Sequence, residues 1–193
     1  MQSCALLNIL RVRSAATLAS RMASHAFDLP PSSWVRQWLD CIPPGGTVLD
    51  LACGSGRHAR LLAGMGFEVE AVDRDIALFA DPPPRVKLTQ ADLESGPWPY
   101  PGRRFAGIVV ANYLHRPLLP MLVDSLEPRG VLVYETFARG NERFGKPSNP
   151  AFLLEPGELL EAVRGKLRVL GYEDRVVAEP RPAAIQRIAA RRE

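Results

Sequence analysis

The stretch Val48-Leu-Asp-Leu-Ala-Cys-Gly-Ser-Gly-Arg-His58 constrains the fold of this chain more than any other. An apolar run ends on a carboxylate, small residues follow at 52, 54 and 56, and a helical pattern through Ala59, Leu62 and Met65 runs on to Gly66. A strand that enters a helix through a glycine-rich turn opens a strand–helix–strand unit, and small turn residues let a ligand approach the backbone. The helix then directs its first N–H groups toward an anionic ligand end.

The same alternation runs through most of the chain. Upstream, Pro31-Ser32-Ser33 starts a helix whose apolar face is Trp34, Val35, Trp38, Leu39 and Ile42, and Pro43-Pro44-Gly45-Gly46 stops it. Phe67–Asp73 reads as a second strand, Ile76–Phe79 as a short helical piece, and Val86 with Leu88 as a third strand closed by the loop Asp92–Gly102. Phe105–Ala111 is an apolar run suited to a buried central strand. A helix at about Leu118–Leu126, a turn at Glu127–Gly130 and a strand at Val131–Phe137 follow. After the long loop Ala138–Leu154 come a helix at Pro156–Arg164 and two closing strands, Leu167–Val177 and Ala183–Ala190. Alternating strands and helices predict an α/β domain with a largely parallel sheet, and two consecutive strands at the end predict a reversed last strand. Asp50, Asp73 and Asp92 then end three successive strands on the carboxyl edge, where open α/β sheets bind ligands. Three carboxylates in a row suit a ligand offering an amine, a ribose and an adenine amino group.

Composition narrows the class. The 193 residues are 47% apolar, enough for one domain with a sizeable core, and the longest apolar runs fall short of the roughly 18 residues of a membrane span. Cys4, Cys41 and Cys53 have no CxxC pairing and no histidine at ligand spacing, so neither a disulfide framework nor a metal site is expected. The net charge of +3 sits in Arg11, Arg13 and Arg21, which precede the first acid, Asp28; the other 21 basic residues balance the 21 acidic ones. Bulk charge therefore suggests no nucleic-acid face. Residues 1–27 are read as an N-terminal extension, either loose or an over-extended start with Met22 as the true one; an acid-poor, Arg- and Ser-rich transit peptide and a poorly fitting secretory signal are the competing readings. The chain is expected in the cytoplasm, or in an organelle if that segment directs import.

The loop Asp50–Gly56 in the pattern D-x-A-x-G-x-G, Asp73 one strand later and Ala91-Asp92-Leu93 beyond it resemble class I S-adenosylmethionine-dependent methyltransferases. A weaker resemblance runs on through Ala111–His115 and Phe144–Leu154. Within that superfamily the sequence looks closest to small bacterial enzymes related to the tellurite-resistance type. The resemblance implies a Rossmann-like, doubly wound seven-stranded sheet, mostly parallel with a reversed last strand, over residues 28–193. It implies S-adenosylmethionine as cofactor, with Asp50 holding the methionine amino group through water and Ala52, Cys53, Gly54 and Gly56 forming the loop around the methionyl and ribose portions. Asp73 would take the ribose hydroxyls with Arg74 beside the adenine, Asp92 and Leu93 the adenine itself, and Ala111 and Asn112 the methionine end. Ala52 departs from the glycine that many members carry.

Methyl transfer needs alignment of the two reactants and exclusion of water, and a base only where the acceptor must lose a proton early. Tyr113 and His115 are the candidate catalytic residues, Tyr113 bordering the sulfonium and His115 as base; packing at a strand–helix junction is the plain alternative for His115. The 17-residue loop 138–154, with Asn141, Arg143, Phe144, Lys146 and Asn149, is expected to be a lid or acceptor-recognition loop. Trp34 and Trp38 read as core, on a helix that can also cover the cofactor beside His25 and Phe27. No Asn-Pro-Pro-Tyr tetrapeptide is present, which argues against methylation of exocyclic or amide nitrogens. A small-molecule acceptor is expected, with no membrane partner. Two alternatives stay open. Gly54–Ala59 also satisfies the G-x-G-x-x-A of nicotinamide-dependent oxidoreductases, and a non-catalytic binding module of the same fold would share the motifs.

Overall fold

The structure is a computed structural model and describes residues 29–193; the N-terminal extension, with His25 and Phe27, lies outside the described residues. The Ser32 hydroxyl accepts from the N–H groups of Trp34 and Val35 and so starts α1, Ser33–Trp38, where the sequence places a helix start. Four units of strand and crossover follow: β1 (Thr47–Leu51), α2 (Arg57–Gly64), β2 (Glu68–Asp73), β3 (Val86–Gln90), β4 (Phe105–Ala111), α3 (Leu119–Asp124) and β5 (Leu126–Phe137). The chain closes with α4 (Glu158–Val163) and the hairpin β6 (Arg168–Val177) and β7 (Ala183–Arg191).

The sheet order is β3-β2-β1-β4-β5-β7-β6. Pairs among the first five strands are parallel, and β7 runs antiparallel to both β5 and β6. The expected seven-stranded, mostly parallel sheet with a reversed last strand is therefore present. Strand order reverses between β1 and β4, the switch point where the loops leaving two neighbouring strands part to opposite faces and leave a crevice.

Side-chain alternation sorts the core into two layers. Leu49, Leu51, Ile108, Val110 and Tyr134 meet α3 and α4 through Leu122, Leu159 and Val163. Val48, Val69, Val109 and Val133 meet α1 and α2 through Trp34, Val35, Ala59 and Leu62. Trp34 is buried and its indole N–H donates to the carbonyl of Ile188, so its place is in this core.

One local expectation fails. The turn read at Glu127–Gly130 is part of β5, which begins at Leu126 opposite Phe105. The register shifts between Phe105 and Gly107, Arg129 adopts a φ of 66°, and the Arg129 and Arg192 N–H groups bond the carbonyls of Arg192 and Gly130. Pro128 and Gly130 mark an irregularity within a strand, and the C-terminal segment supplies the partners that a free turn would lack. Among the described residues no helix is long and apolar enough to cross a membrane.

Candidate functional site

Asp50, next to last in β1, lies on the α2 face, 1% exposed, and its carboxylate accepts from the Ala59 N–H at 2.8 Å. The start of the helix is thus met by a carboxylate of the chain itself, where the sequence pattern suggested an anionic ligand end. Burial pushes Asp50 up to about 7; the Ala59 bond and then Arg57 oppose the rise, and Asp73 adds slightly to it.

The loop after Asp50 is built for close backbone approach. Ala52, Gly54 and Gly56 have φ of 53°, 53° and 77°, and a side chain at Gly56 would overlap the buried Phe79 ring. The loop is tied to β2 by two bonds: Cys53 N–H to the Val72 carbonyl at 3.0 Å, and Gly54 N–H to Asp73 Oδ2 at 2.8 Å. Asp73 Oδ1 also accepts from the Asp75 N–H at 3.0 Å. Asp92 folds the next turn around itself, accepting from the Glu94 and Ser95 N–H groups and from the Ser95 hydroxyl at 2.6 Å. The Ser95 hydroxyl first, then those N–H groups, hold Asp92 below the usual carboxylate range. Asp73 and Asp92 are therefore fixed in place, each with lone pairs left for a ligand.

These residues surround a hollow of about 210 Å³ at the carboxyl edge, walled by Ala52, Asp73, Arg74, Ala91, Asp92, Leu93, Glu94 and Tyr113. A second hollow of about 230 Å³ adjoins it, lined by Asn112, Leu114, Thr136, Phe137, Pro147 and Phe152, and Glu94 and Tyr113 belong to both. Tyr113 is thus the shared wall. Its hydroxyl is buried without a partner among the described residues, and burial pushes it up to about 12, with Glu94, Asp92 and Asp73 adding to the rise. The Tyr113 carbonyl accepts from the Tyr134 hydroxyl at 2.8 Å, which fixes the backbone of that wall from β5.

The expected site residues are distributed as follows. Ala52, Asp73, Arg74, Asp92 and Leu93 line the first hollow, Asn112 lines the second, and Tyr113 lines both. Cys53 packs into the core, Gly54 and Gly56 shape the loop, and Ala111 pairs with Glu135 across the sheet. His115 begins the short turn Arg116–Leu118 and contributes to neither hollow. In the loop 138–154, Asn141 is buried and braces the loop through the Pro147 carbonyl and the Ala184 N–H, and Asn149 caps the turn at Ala151. Pro147 and Phe152 of that loop reach the second hollow. Glu94, Thr136 and Phe137 had no motif to mark them.

A sheet of this order, with a ligand hollow at the ends of β1 to β4, is the fold of class I methyltransferases. Residues 28–81 match the family model of tellurite resistance protein TehB. The solved TehB of Haemophilus influenzae superposes with a TM-score of 0.67 at 18% identity, over 82% of this chain and 61% of that one. The glycopeptide N-methyltransferase MtfA solved with S-adenosyl-L-methionine superposes with a TM-score of 0.59 at 18% identity, over 85% of this chain and 95% of that one. The protein YqeM of Bacillus subtilis (strain 168) is 33% identical over 79 residues, which are 40% of this chain and 30% of that protein, so the match spans under a third of the curated relative. The chain thus has the fold of these methyltransferases and is similar to the TehB family over residues 28–81.

Proposed function

We propose that the chain transfers a methyl group from S-adenosylmethionine to a small-molecule acceptor. The observation that carries this reading is the pair of adjoining hollows sharing Tyr113 and Glu94, the first holding two fixed carboxylates beside a backbone opened by positive φ. The donor set fits the cofactor: Asp73 for the ribose hydroxyls, Asp92 and Leu93 for the adenine, Arg74 over its face, and Ala52 against the chain between ribose and sulfur. When bound, the cofactor supplies an electrophilic methyl on a cationic sulfur. Tyr113, the wall common to both hollows, would flank the reactants and help keep water from the line of attack; it does not serve as a base, because burial pushes its hydroxyl up to about 12. Asp50 acts at one remove, holding the loop and the start of α2 in place.

The nicotinamide reading is disfavoured by the same Asp50. A dinucleotide pyrophosphate needs the start of the helix after β1, and there a buried carboxylate already takes the Ala59 N–H. The test is transfer of labelled methyl from S-adenosylmethionine to a panel of metabolites, with Asp73→Ala alongside. Loss of charge-assisted bonds at Asp73 should weaken cofactor binding by about 1.5–3 kcal/mol, tenfold or more. Unchanged affinity in Asp73→Ala would contradict the ribose assignment.

A further inference from the structure

We infer that the second hollow takes an uncharged, largely apolar small molecule carrying one hydrogen-bonding nucleophile, and excludes oxyanions and carboxylates. This rests on the methyl-transfer reading and adds to it the chemical class of the acceptor. Its walls are apolar on both sides: Leu114 from the loop after β4, Phe137 from the end of β5, and Pro147 and Phe152 from the loop 138–154. Its volume of about 230 Å³ lies below the roughly 300–1,000 Å³ of sites for drug-sized ligands, so the occupant is small.

The polar groups are few. Thr136, 2% exposed, and the exposed Asn112 line the hollow. The Tyr113 hydroxyl is buried and without a partner among the described residues, at the wall toward the first hollow. An unpartnered buried hydroxyl is costly, and a ligand head group that bonds it removes the cost. Among the described residues the one carboxylic side chain in the wall is Glu94.

No basic side chain lines this hollow among the described residues, and Arg116, Arg139 and Arg187 are engaged elsewhere. Arg116 makes a two-pronged bond to Glu158 and donates to the carbonyls of Ala151 and Leu153. Arg139 pairs with Glu155, and Arg187 with Glu135 and Glu173. Arg181 lies over the Phe137 ring, 5.8 Å from its centre, and Lys146 is exposed beside Pro147. An anion entering the hollow meets Glu94 with no built cation to offset it, and loses hydration against the phenyl rings.

The chemistry balances with such an acceptor. A lone pair on its nitrogen, oxygen or sulfur forms the bond to the methyl carbon, and the carbon–sulfur pair returns to sulfur, leaving a neutral thioether. The proton of the acceptor passes to water at the open rim beside Glu94.

Calorimetry on the protein saturated with S-adenosylhomocysteine tests this with two probes of one size: benzyl mercaptan, neutral at pH 7, and benzoate. Benzyl mercaptan should bind at one site and benzoate at least tenfold more weakly. Phe152→Arg, which places a cation in the wall, should lower benzyl mercaptan affinity at least fivefold and raise that of benzoate. Benzoate binding as tightly as benzyl mercaptan, no binding of benzyl mercaptan, or no change in Phe152→Arg would overturn the inference. Failure of S-adenosylhomocysteine itself to bind would instead remove the methyltransferase reading on which it rests.

Discussion

Ala52 and Asn112 close the ends of β1 and β4 with φ of 53° and 59°, the two strands that flank the switch point. Asn tolerates this region; Ala is strained in it by about 1–2 kcal/mol. The glycine that the sequence resemblance implies at position 52 thus has a backbone reason, which the residue type alone does not reveal. Ala52→Gly removes the strain and adds about 0.4–1 kcal/mol of unfolded-chain entropy, so a small net gain is expected. Its melting temperature should rise by about 1–3 °C, and a fall would place the strain elsewhere.

Asp50 and His58 make opposite demands on pH. Asp50 titrates near 7 in the fold against an ordinary 3.8, so its contribution is fullest below about 4 and is lost as pH rises through 7. His58 is buried, accepts from the Ser32 N–H at 3.1 Å, and is lowered to about 3, chiefly by burial and then by Arg57 and Arg36. Its contribution is present above about 6.5 and is lost as pH falls toward 3. Between pH 4 and 6.5 the two slopes oppose. Asp50→Asn keeps an acceptor for Ala59 and removes one of them, so its melting temperature should fall more steeply than that of the unaltered protein on acidification below 6.5. Parallel curves would contradict the burial argument.

At the scale of elements, the loop after β4 and the loop after β5 must meet to make the second hollow. Arg116 joins them, spanning from the first to the Ala151 and Leu153 carbonyls of the second and on to Glu158 at the start of α4. Arg116→Ala should speed amide exchange in residues 138–154 and raise the KM for the acceptor about fivefold or more, while cofactor affinity holds within about twofold. Unchanged exchange in that loop would show that Asn141 alone holds it. This level was the least legible in the sequence. The loop was recognisable by its length, but Phe144 stood out there and Phe152 lines the hollow. Asn141 and Asn149 looked like recognition groups and are spent on backbone groups of the loop and of β7. Which side chains face a hollow depends on how distant loops converge, and no local period records that.

For the whole molecule the order of strands decides where chemistry can occur. Strand-end carboxylates are legible because a parallel sheet gives every strand the same direction, so Asp50, Asp73 and Asp92 fall on one edge from connectivity alone. The reversed β7 was legible as two consecutive strands with no helix between them. Their individual tasks were not legible: Asp50 braces a helix, whereas Asp73 and Asp92 face the hollow. The central claim is that this hollow is an adenosyl site and not a dinucleotide site. Isothermal titration of the unaltered protein at pH 7.5 tests it most directly. S-adenosylhomocysteine should bind at one site with a dissociation constant of about 1–100 µM, and NAD should give no heat. Heat with NAD and none with S-adenosylhomocysteine would contradict the account.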